Sequence, residues 1–362
     1  MRKLIFNIFL SCIFATQAQA LNYKVETLAS DLDHPWSIAI LPNGDYLVAL
    51  QVGKLVRVSA DGIVGEALTG TPSTHYFKQG GYFDVVLDPS FEQNNTLYLS
   101  FAHGNSSAHS TRVIKAQLGT DGLINVKPIF TGKVTVDTGK HFGGRLAFLP
   151  DNTLLLTTGD SGDYRNAAQD KNSHLGKIVR FTKNGGVPSD NPYANAVGGD
   201  QYVWSYGHRN PQGLAVDYTT SIVYQHEHGP KGGDEVNVIS AGKNYGWPVA
   251  SYGLNYSGTR VSPYQTLPGM IDGIKVWVPS IAPSGLAIYR GAMFPEWDGN
   301  LLVGGLKGLD VRRLVIQDEA VTEENSMFPE IKSRIRDVRV GPAGAIYVLT
   351  DGPSGTLYRI SR

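Results

Sequence analysis

The stretch from Trp204 to Pro248 concentrates polar side chains of the kinds that bind ligands and move protons. Arg209 and Asn210 stand directly before a short apolar run, and a loop rich in glycine and proline follows, ending in an acidic pair. A solvated loop would account for the glycines and prolines, but not for the large aromatic residues around them, which are typical of buried surroundings. These aromatic residues are Trp204, Tyr206, Tyr245 and Trp247. The stretch is therefore predicted to form a site.

The loop after His228 suits a calcium ion. Ca²⁺ accepts main-chain carbonyls as well as carboxylates, and Gly229 and Pro230 can offer two adjacent carbonyls with no side chain in the way. The carboxylate of Glu235 and the carbonyl of Tyr245 could hold a second, structural ion across the loop.

The triplet His226-Glu227-His228 also invites a metal-site interpretation. It lacks the helical HExxH spacing of zinc enzymes, and on a strand the two histidines would share one face while Glu227 points away. Two histidines alone are weak support for zinc, so calcium in the following loop is the favoured prediction.

The elements that position these side chains are predicted to be strands. Short β-branched runs recur throughout the chain, and no long segment has the 3.6-residue apolar period of a helix. A unit made of an apolar strand, a turn and a second strand occurs six times. Its first strands are SIAILP at 37–42, DVVLDP at 84–89, RLAFLP at 145–150, GLAVDY at 213–218, GLAIYR at 285–290 and DVRVGP at 337–342. Its second strands are YLVAL, LYLSF, LLLTTG, IVYQHE, LLVGGL and IYVLTD.

Six such units match the spacing of propeller blades, and a radial array removes most exposed sheet edges. We therefore expect an all-β, six-bladed β-propeller with inserted loops at its top face, forming a single domain over residues 21–362. The segment Tyr23–Ala29 is expected to supply the outer strand of the last blade and to close the ring. A pair of β-sandwiches is the alternative, but it would not need six copies in phase.

Residues that lead into the six inner strands should gather at one mouth of the central channel, because they share one phase of the repeat. Lys307, which ends a second strand, could reach inward as well. The predicted set is Gln79, His141, Arg209, Asn210, Lys307, Arg334 and Arg336.

The cations in this set would repel each other unless an anion lay among them. The predicted ligand is a compact polyanion with carboxylate or phosphate groups, which planar arginines bind well. The alternative is that the cations form structural salt bridges with Asp84, Asp160, Asp163 and Asp337.

The first twenty residues have the pattern of an export signal. Arg2 and Lys3 precede the apolar run Leu4–Phe14, which is too short to span a bilayer, and AQA at 18–20 is a small-residue cleavage site. We expect cleavage after Ala20 and a periplasmic location, without membrane insertion.

The single cysteine, Cys12, lies in that segment. After its removal no disulfide, thiolate nucleophile, zinc–thiolate site or covalently attached haem can form. The formal net charge of zero gives no indication of binding to nucleic acid or to a membrane surface. The sequence is compatible with a monomer or a homodimer.

The chain also carries eight motifs in a characteristic order: QGGYFD, KHFGGRLAF, GHRNPQGLA, HEHGPKGGDEVN, KNYGWP, APSGLAIY, LLVGGLKG and RIRDVR. In these motifs it resembles the soluble PQQ-dependent glucose/sorbosone dehydrogenase family over essentially its whole mature length. The resemblance is strongest to the periplasmic aldose sugar dehydrogenases.

The resemblance implies a propeller with pyrroloquinoline quinone (PQQ) at its mouth, a planar tricarboxylate that suits the predicted cationic cluster. It implies that His141 is the general base, and that the carbonyls of Gly229 and Pro230 bind the cofactor's Ca²⁺. Glu235 and Tyr245 match a second calcium site. The residues that match cofactor contacts are Gln79, Arg209, Asn210, Lys307, Arg334 and Arg336.

Two positions depart from the family pattern. Lys140 stands before His141, where relatives often carry an acidic or amide residue, and His228 stands where the glucose enzymes carry an amide. A cation at position 140 would disfavour protonation of His141. Both departures bear on the preferred sugar more than on the chemistry.

The reaction implied is oxidation of an aldose at its anomeric carbon to a lactone. His141 would take the hydroxyl proton and Arg209 would stabilise the developing charge, while a hydride passes to the quinone, whose carbonyl is polarised by calcium. The electrons would leave to an external acceptor, because the chain offers no haem or cluster ligands.

Two other functions remain as alternatives. A calcium-dependent propeller lactonase would hold its ion with acidic residues on the axis, where this sequence predicts cations. A non-catalytic binding propeller would use its top face for a partner.

Overall fold

Each repeated unit forms one four-stranded antiparallel sheet, and the six sheets are the blades of a β-propeller. The computed structural model describes residues 22–133 and 135–362. The predicted export signal lies outside the described residues. Within them, no helix has the length and apolar character needed to cross a membrane.

The first three blades follow one another along the chain. The first consists of β2 (Pro35–Ile40), β3 (Tyr46–Leu50), β4 (Lys54–Val58) and β5 (Val64–Ala67). The second consists of β6 (Tyr82–Leu87), β7 (Thr96–Gly104), β8 (His109–Leu118) and β9 (Leu123–Thr131), with the short helix α1 (Phe91–Asn94) between its first two strands. The third consists of β10 (Leu146–Phe148), β11 (Leu154–Thr158), β12 (Lys177–Phe181) and β13 (Val203–Tyr206), with a 3₁₀ turn at Arg165–Ala168.

The remaining blades repeat the arrangement. The fourth consists of β14 (Pro211–Val216), β15 (Val223–Glu227), β16 (Asp234–Ile239) and β17 (Lys275–Trp277). The fifth consists of β18 (Pro283–Ile288), β19 (Leu301–Gly305), β20 (Val311–Gln317) and β21 (Ala320–Met327), with a 3₁₀ turn at Pro295–Trp297. The sixth consists of β22 (Ile335–Val340), β23 (Ile346–Thr350), β24 (Gly355–Ser361) and β1 (Lys24–Leu32).

The first strand of the chain closes the ring, as the sequence predicted. β1 pairs with β24 antiparallel, with Lys24 opposite Ser361 and Leu32 opposite Gly355. It is the outer strand of the sixth blade. The last blade is thus built from both ends of the chain.

The core lies between neighbouring blades. Leu47 and Leu55 of the first blade pack with Leu97 and Leu99 of the second, and all four are fully buried. The same layering continues around the ring, so each sheet is covered on both faces. This accounts for the continuous apolar runs of the second strands, which do not alternate with polar residues.

The central channel is closed by a buried group of four charges. Arg339 donates to Asp337 at 2.9 Å and to Asp84 at 2.6 Å. Arg145 lies 2.9 Å from Asp337, and its guanidinium stacks on the ring of Trp36 at 4.1 Å. Two arginines and two aspartates balance in charge, so the channel interior is neutral as a whole.

Long loops leave both ends of the ring. Residues 135–145 and 159–176 lie at the mouth where the innermost strands begin. Residues 182–202 follow Phe181, which pairs with Leu154, and Leu154 in turn pairs with Phe148 at the end of β10. This loop therefore leaves the ring at the end opposite the mouth. The expectation that the insertions gather at the top face thus holds for part of them only.

Candidate active site

A cavity of about 300 Å³ opens at the mouth of the channel. Its aromatic wall consists of Trp36, Phe83 and Phe142. Its polar lining includes four of the predicted site residues, Gln79, Asn210, Arg334 and Arg336, together with His228. A second cavity of about 570 Å³ at the other end of the channel contains none of the predicted residues.

His141 stands at this mouth and is bound to a carboxylate that the sequence analysis had not assigned to it. Its Nδ1 lies 2.6 Å from Asp160 Oδ1, and the Asp160 side chain is fully buried. Trp247 Nε1 donates to the other carboxylate oxygen at 2.7 Å, and the Gly162 amide donates to Oδ1 at 2.7 Å. An anion held in this way fixes the proton of His141 on Nδ1 and leaves Nε2 as an acceptor.

Burial lowers the pKa of His141 below its ordinary value, although the bond to Asp160 acts in the opposite direction. For Asp160, burial would raise the pKa, but the hydrogen bond and charge of His141 and the charge of Arg209 bring it below its ordinary value. The two directions agree on a neutral imidazole beside an ionised carboxylate. That is the state a general base requires.

The backbone around His141 is tightly constrained. Its φ is +48°, and its amide donates to Gln79 Oε1 at 2.8 Å. A Cβ at Gly159 would lie 1.9 Å from the His141 carbonyl oxygen, so only glycine allows the end of β11 to touch this loop. Gln79 therefore orients the base, in addition to lining the cavity.

Arg209 is held over an aromatic ring with its charge not paired to a carboxylate. Its Nη1 donates to the carbonyls of His228 at 3.0 Å and Gly229 at 2.8 Å. Its guanidinium lies 5.3 Å from the Trp247 ring centre, and its buried Nε has no acceptor in the part of the chain that the structure describes. Glu227 accepts the Arg209 amide, so the carboxylate fixes the backbone while the side chain keeps its charge.

Arg334 and Arg336 converge, as their alternation about Ile335 predicted, but they converge on a carboxylate of the protein. Arg334 Nε donates to Asp351 at 2.8 Å and Arg336 Nη2 at 2.8 Å. The predicted need for an outside anion is therefore met in part by Asp351. Lys307 is exposed just beyond β19 and is not among the residues that line the cavity.

Three acidic residues at the ends of second strands share one role. Asp160 follows β11, Glu227 ends β15, and Asp351 follows β23. Each binds a residue that leads into the innermost strand of the same blade, because antiparallel pairing brings those two chain ends together. The signal was present in the sequence: LLLTTG is followed by Asp160, and IVYQHE and IYVLTD end in the other two.

The alternative of structural salt bridges is correct in kind for Arg334 and Arg336 but named the wrong partners, because both arginines bind Asp351. Asp84 and Asp337 bind Arg145 and Arg339 inside the channel. Asp160 binds His141, and Asp163 lies 3.4 Å from Lys140. The error arose because residues close in repeat phase can lie at different depths along the channel.

His226 lies in β15 and His228 directly follows that strand, and the ring of each contacts a main-chain carbonyl of the neighbouring blade. His228 Nε2 lies 2.6 Å from the Pro283 carbonyl and His226 Nε2 lies 3.3 Å from the Gly285 carbonyl. Burial lowers the pKa of each to about 3, so both are neutral. Among residues 22–133 and 135–362, no three His, Asp or Glu side chains come together in a way that could hold a metal.

Three of the four predicted calcium residues lie around one small space beside Arg209. Gly229, Glu235 and Tyr245 line it together with Glu227. Burial raises the pKa of Glu235 well above its ordinary value, and the charges of Glu227, Asp272 and Asp234 add to that effect. A cation in this space would favour the ionised form of Glu235. Pro230 is buried beside Gly253 on the edge of the same loop.

Known proteins resemble the chain over nearly its whole length. The model of the glucose/sorbosone dehydrogenase family matches residues 32–359. The aldose sugar dehydrogenase YliI of Escherichia coli is 38% identical over 367 residues, covering 99% of both chains.

Solved structures give the same result. The soluble aldose sugar dehydrogenase of Escherichia coli, in its apo form, superposes with a TM-score of 0.90 at 38% identity, covering 94% of this chain and 99% of that one. An aldose sugar dehydrogenase of Streptomyces coelicolor in its PQQ-bound form gives a TM-score of 0.76 at 27% identity, covering 94% of this chain and 99% of that one.

Proposed function

The chain belongs to the glucose/sorbosone dehydrogenase family, and from this premise we propose that it is a quinoprotein that oxidises aldose sugars to lactones with PQQ and Ca²⁺. The observation that carries the proposal is the His141–Asp160 pair at the mouth of a cationic, aromatic-walled cavity. A neutral imidazole held by a buried carboxylate is suited to take a proton from a hydroxyl.

The cavity fits a planar tricarboxylate. Arg334 and Arg336 offer charged donors, and Asn210 and Gln79 add amides. The aromatic wall suits a flat ring system. Lys307, exposed outside the cavity, is proposed as a further cofactor contact through its long stem. Arg209 is proposed to contact the cofactor too, because its buried Nε has no acceptor among residues 22–133 and 135–362.

The calcium proposal rests on neutral oxygens. The carbonyls of Gly229 and Pro230 are proposed as ligands of the cofactor's ion. The Gly229 carbonyl accepts from Arg209, but a carbonyl oxygen has a second lone pair. Two such groups bind a divalent ion only if an anionic ligand completes the shell. A second ion is proposed at Glu235 and the Tyr245 carbonyl, in the small space that Glu227 also lines.

The chain's own residues would carry the proton. His141 Nε2 accepts the proton of the anomeric hydroxyl, and Asp160 stabilises the imidazolium that results. When bound, PQQ supplies the acceptor for the hydride of the anomeric carbon, and Ca²⁺ makes its carbonyl more electrophilic. The sugar thereby loses one C–H and one O–H bond and gains a C=O bond. His141 releases its proton to water, and the two electrons pass to an external acceptor.

The rival hydrolase is not favoured. A calcium-dependent lactonase would need free acidic residues on the axis, whereas Asp84 and Asp337 are bound by Arg145 and Arg339. Nothing in the site favours a non-catalytic binding function over the dehydrogenase.

Reconstitution tests the proposal. Purified protein given PQQ and Ca²⁺ should reduce a dye in the presence of an aldose. The His141→Ala variant should bind PQQ in a spectroscopic titration yet lose roughly 10²–10⁴ in rate, the usual contribution of a general base. Near-normal turnover by this variant would contradict the role of His141, and no turnover by the wild type would contradict the proposed function.

A chelator experiment tests the calcium sites. Protein stripped of metal should be inactive with PQQ alone and should recover with Ca²⁺. Calcium and PQQ should each raise the affinity for the other by one shared factor. The ion at Glu235 should raise the melting temperature without PQQ. Full activity in chelator would contradict the role of Gly229 and Pro230.

We also propose export to the periplasm with cleavage after Ala20, based on the sequence pattern alone. Sequencing the amino terminus of protein recovered from a periplasmic extract checks this. An intact Met1 terminus would contradict it.

A further inference from the structure

We propose that Lys140 selects aldoses that carry a negative charge away from the anomeric carbon, such as hexuronates or hexose phosphates. The proposal rests on the proposed dehydrogenase function and adds the substrate class. It starts from the one charged side chain adjacent in sequence to the base.

Lys140 and His141 approach each other in space. Both residues lie in the loop before β10, where His141 has a positive φ of 48°. A Cβ at Gly162 would lie 3.1 Å from Lys140 Cδ and 3.7 Å from His141 Cε1. The lysine stem and the imidazole therefore flank the same point, and glycine leaves the space between them open.

The charge of Lys140 is available to a ligand. Its Nζ is 3.4 Å from both oxygens of Asp163, which is a long contact for an ion pair. The side chains are 44% and 68% exposed. Exposed pairs of this kind contribute little, because water screens them and flexible side chains lose entropy when they pair. A bound anion can therefore take the place of Asp163.

A second lysine, Lys78, lies near His141 on the side of the cavity. Lys78 lines the cavity, and its Nζ donates to the Thr138 carbonyl at 3.1 Å, within the loop that carries His141. The Asp160 carboxylate is fully buried and bound to His141, so it faces a substrate only through the imidazole. Among the described residues, Asp163 is the exposed carboxylate that contacts Lys140.

The Lys140 ammonium can donate a hydrogen bond to a neutral hydroxyl, but with a carboxylate or phosphate it gains the attraction between two opposite charges as well. The anionic group takes no part in the reaction: the sugar still loses one hydride and one proton at its anomeric end. For a hexuronate the product is the lactone of the corresponding dicarboxylic sugar acid.

The experiment compares three sugars that differ at one position, glucose, glucuronate and glucose 6-phosphate. Each is oxidised by protein reconstituted with PQQ and Ca²⁺, in the wild type and in K140Q and K140R. We expect kcat/KM to be higher for one of the anionic sugars than for glucose. K140Q should lower the anionic-to-neutral ratio of kcat/KM by roughly tenfold or more, and K140R should restore most of it. The carboxylate and phosphate arms show which anion is recognised.

Lys133 provides a matched control. Its Nζ also lies 3.4 Å from an aspartate, Asp200, and its side chain is exposed. K133Q removes the same charge from a pair with the same 3.4 Å separation and should leave the ratio unchanged. A wild type that prefers glucose to both anionic sugars, or a K140Q variant that slows all three equally, would overturn the proposal.

Binding without oxidation separates this proposal from the proposed function. Ligand-detected NMR measures glucuronate and glucose binding to the same variants. Binding of an anionic sugar that depends on Lys140 and weakens with salt supports the selection even if no sugar is oxidised. If glucose reduces the dye but no anionic sugar binds better than glucose, the selection is wrong and the dehydrogenase function stands.

Discussion

At the scale of single residues, the protonation state of His141 decides whether the base can work. Burial lowers its pKa below the ordinary 6.5, so the imidazole stays neutral to lower pH than a histidine in water. We expect kcat/KM of the reconstituted enzyme to fall on the acid side with a midpoint below pH 6.5. A pH–rate profile with a stable neutral sugar measures this midpoint. A midpoint at or above pH 6.5 would contradict the lowered pKa of His141.

Asp160 should matter almost as much as the base that it holds. Asp160→Asn keeps the size of the side chain but removes its charge, so it no longer stabilises the imidazolium. The proton of the neutral ring can then move from Nδ1 to Nε2, the nitrogen that has to accept the substrate proton. We expect kcat to fall by roughly tenfold or more, with the acid midpoint shifted further down. KM should change less than kcat.

The control for that variant is Asp137→Asn, which neutralises an exposed carboxylate near the same loop. It should leave the pH profile where it was. If both variants shift the profile equally, the effect of Asp160 comes from general charge and not from its contact with His141.

At the scale of elements, the strands were predictable and the contacts between their ends were not. The six inner strands follow from local apolar runs and turns, and β3 and the run YLVAL coincide residue for residue. The bond from Asp160 to His141 crosses nineteen positions and depends on how a loop returns to the end of β11. Trp247 lies 87 positions from Asp160 in the sequence, and only the folded loop brings its indole into contact with that carboxylate.

The close approach of Gly159 to His141 leads to a prediction at this scale. Gly159→Ala would place a methyl group 1.9 Å from the His141 carbonyl oxygen. Overpacking of this kind costs about 1–3 kcal/mol, and it displaces the loop that carries the base. We expect lower stability in a denaturant titration and lower kcat in the same variant.

Gly186→Ala is the matched control. A Cβ there would meet only the side chain of Thr182, at 3.2 Å, at an exposed turn. Its stability and activity should stay near those of the wild type. Equal losses in both variants would mean that glycine flexibility, and not contact with His141, explains the effect.

At the scale of the whole molecule, the four buried charges join blades that are distant in sequence. Arg145 of the third blade binds Asp84 of the second and Asp337 of the sixth. Arg145→Met would leave buried carboxylates with Arg339 alone. Breaking a buried pair costs about 3–5 kcal/mol, so we expect a large fall in the free energy of unfolding.

A surface pair gives the comparison. Arg362 binds Glu296 where both side chains are well exposed, and Arg362→Met should cost at most about 1 kcal/mol. Chemical denaturation of the two variants checks the difference. A small loss for Arg145→Met would show that the channel charges add little to the ring.

The pairing of β1 with β24 also fixes the order in which the ring can be finished. The ribosome makes Lys24–Leu32 before any other described strand, yet its partner, Gly355–Ser361, is made last. Until synthesis is complete, β1 therefore has no partner strand to pair with, and an unpaired strand is a template for unwanted association. Its sequence KVETLASDL carries charges at Lys24, Glu26 and Asp31, which disfavour pairing of the strand with other chains during that time. In the finished ring β1 is still the outer strand of its blade, so the same charges also disfavour edge-to-edge association of the folded protein.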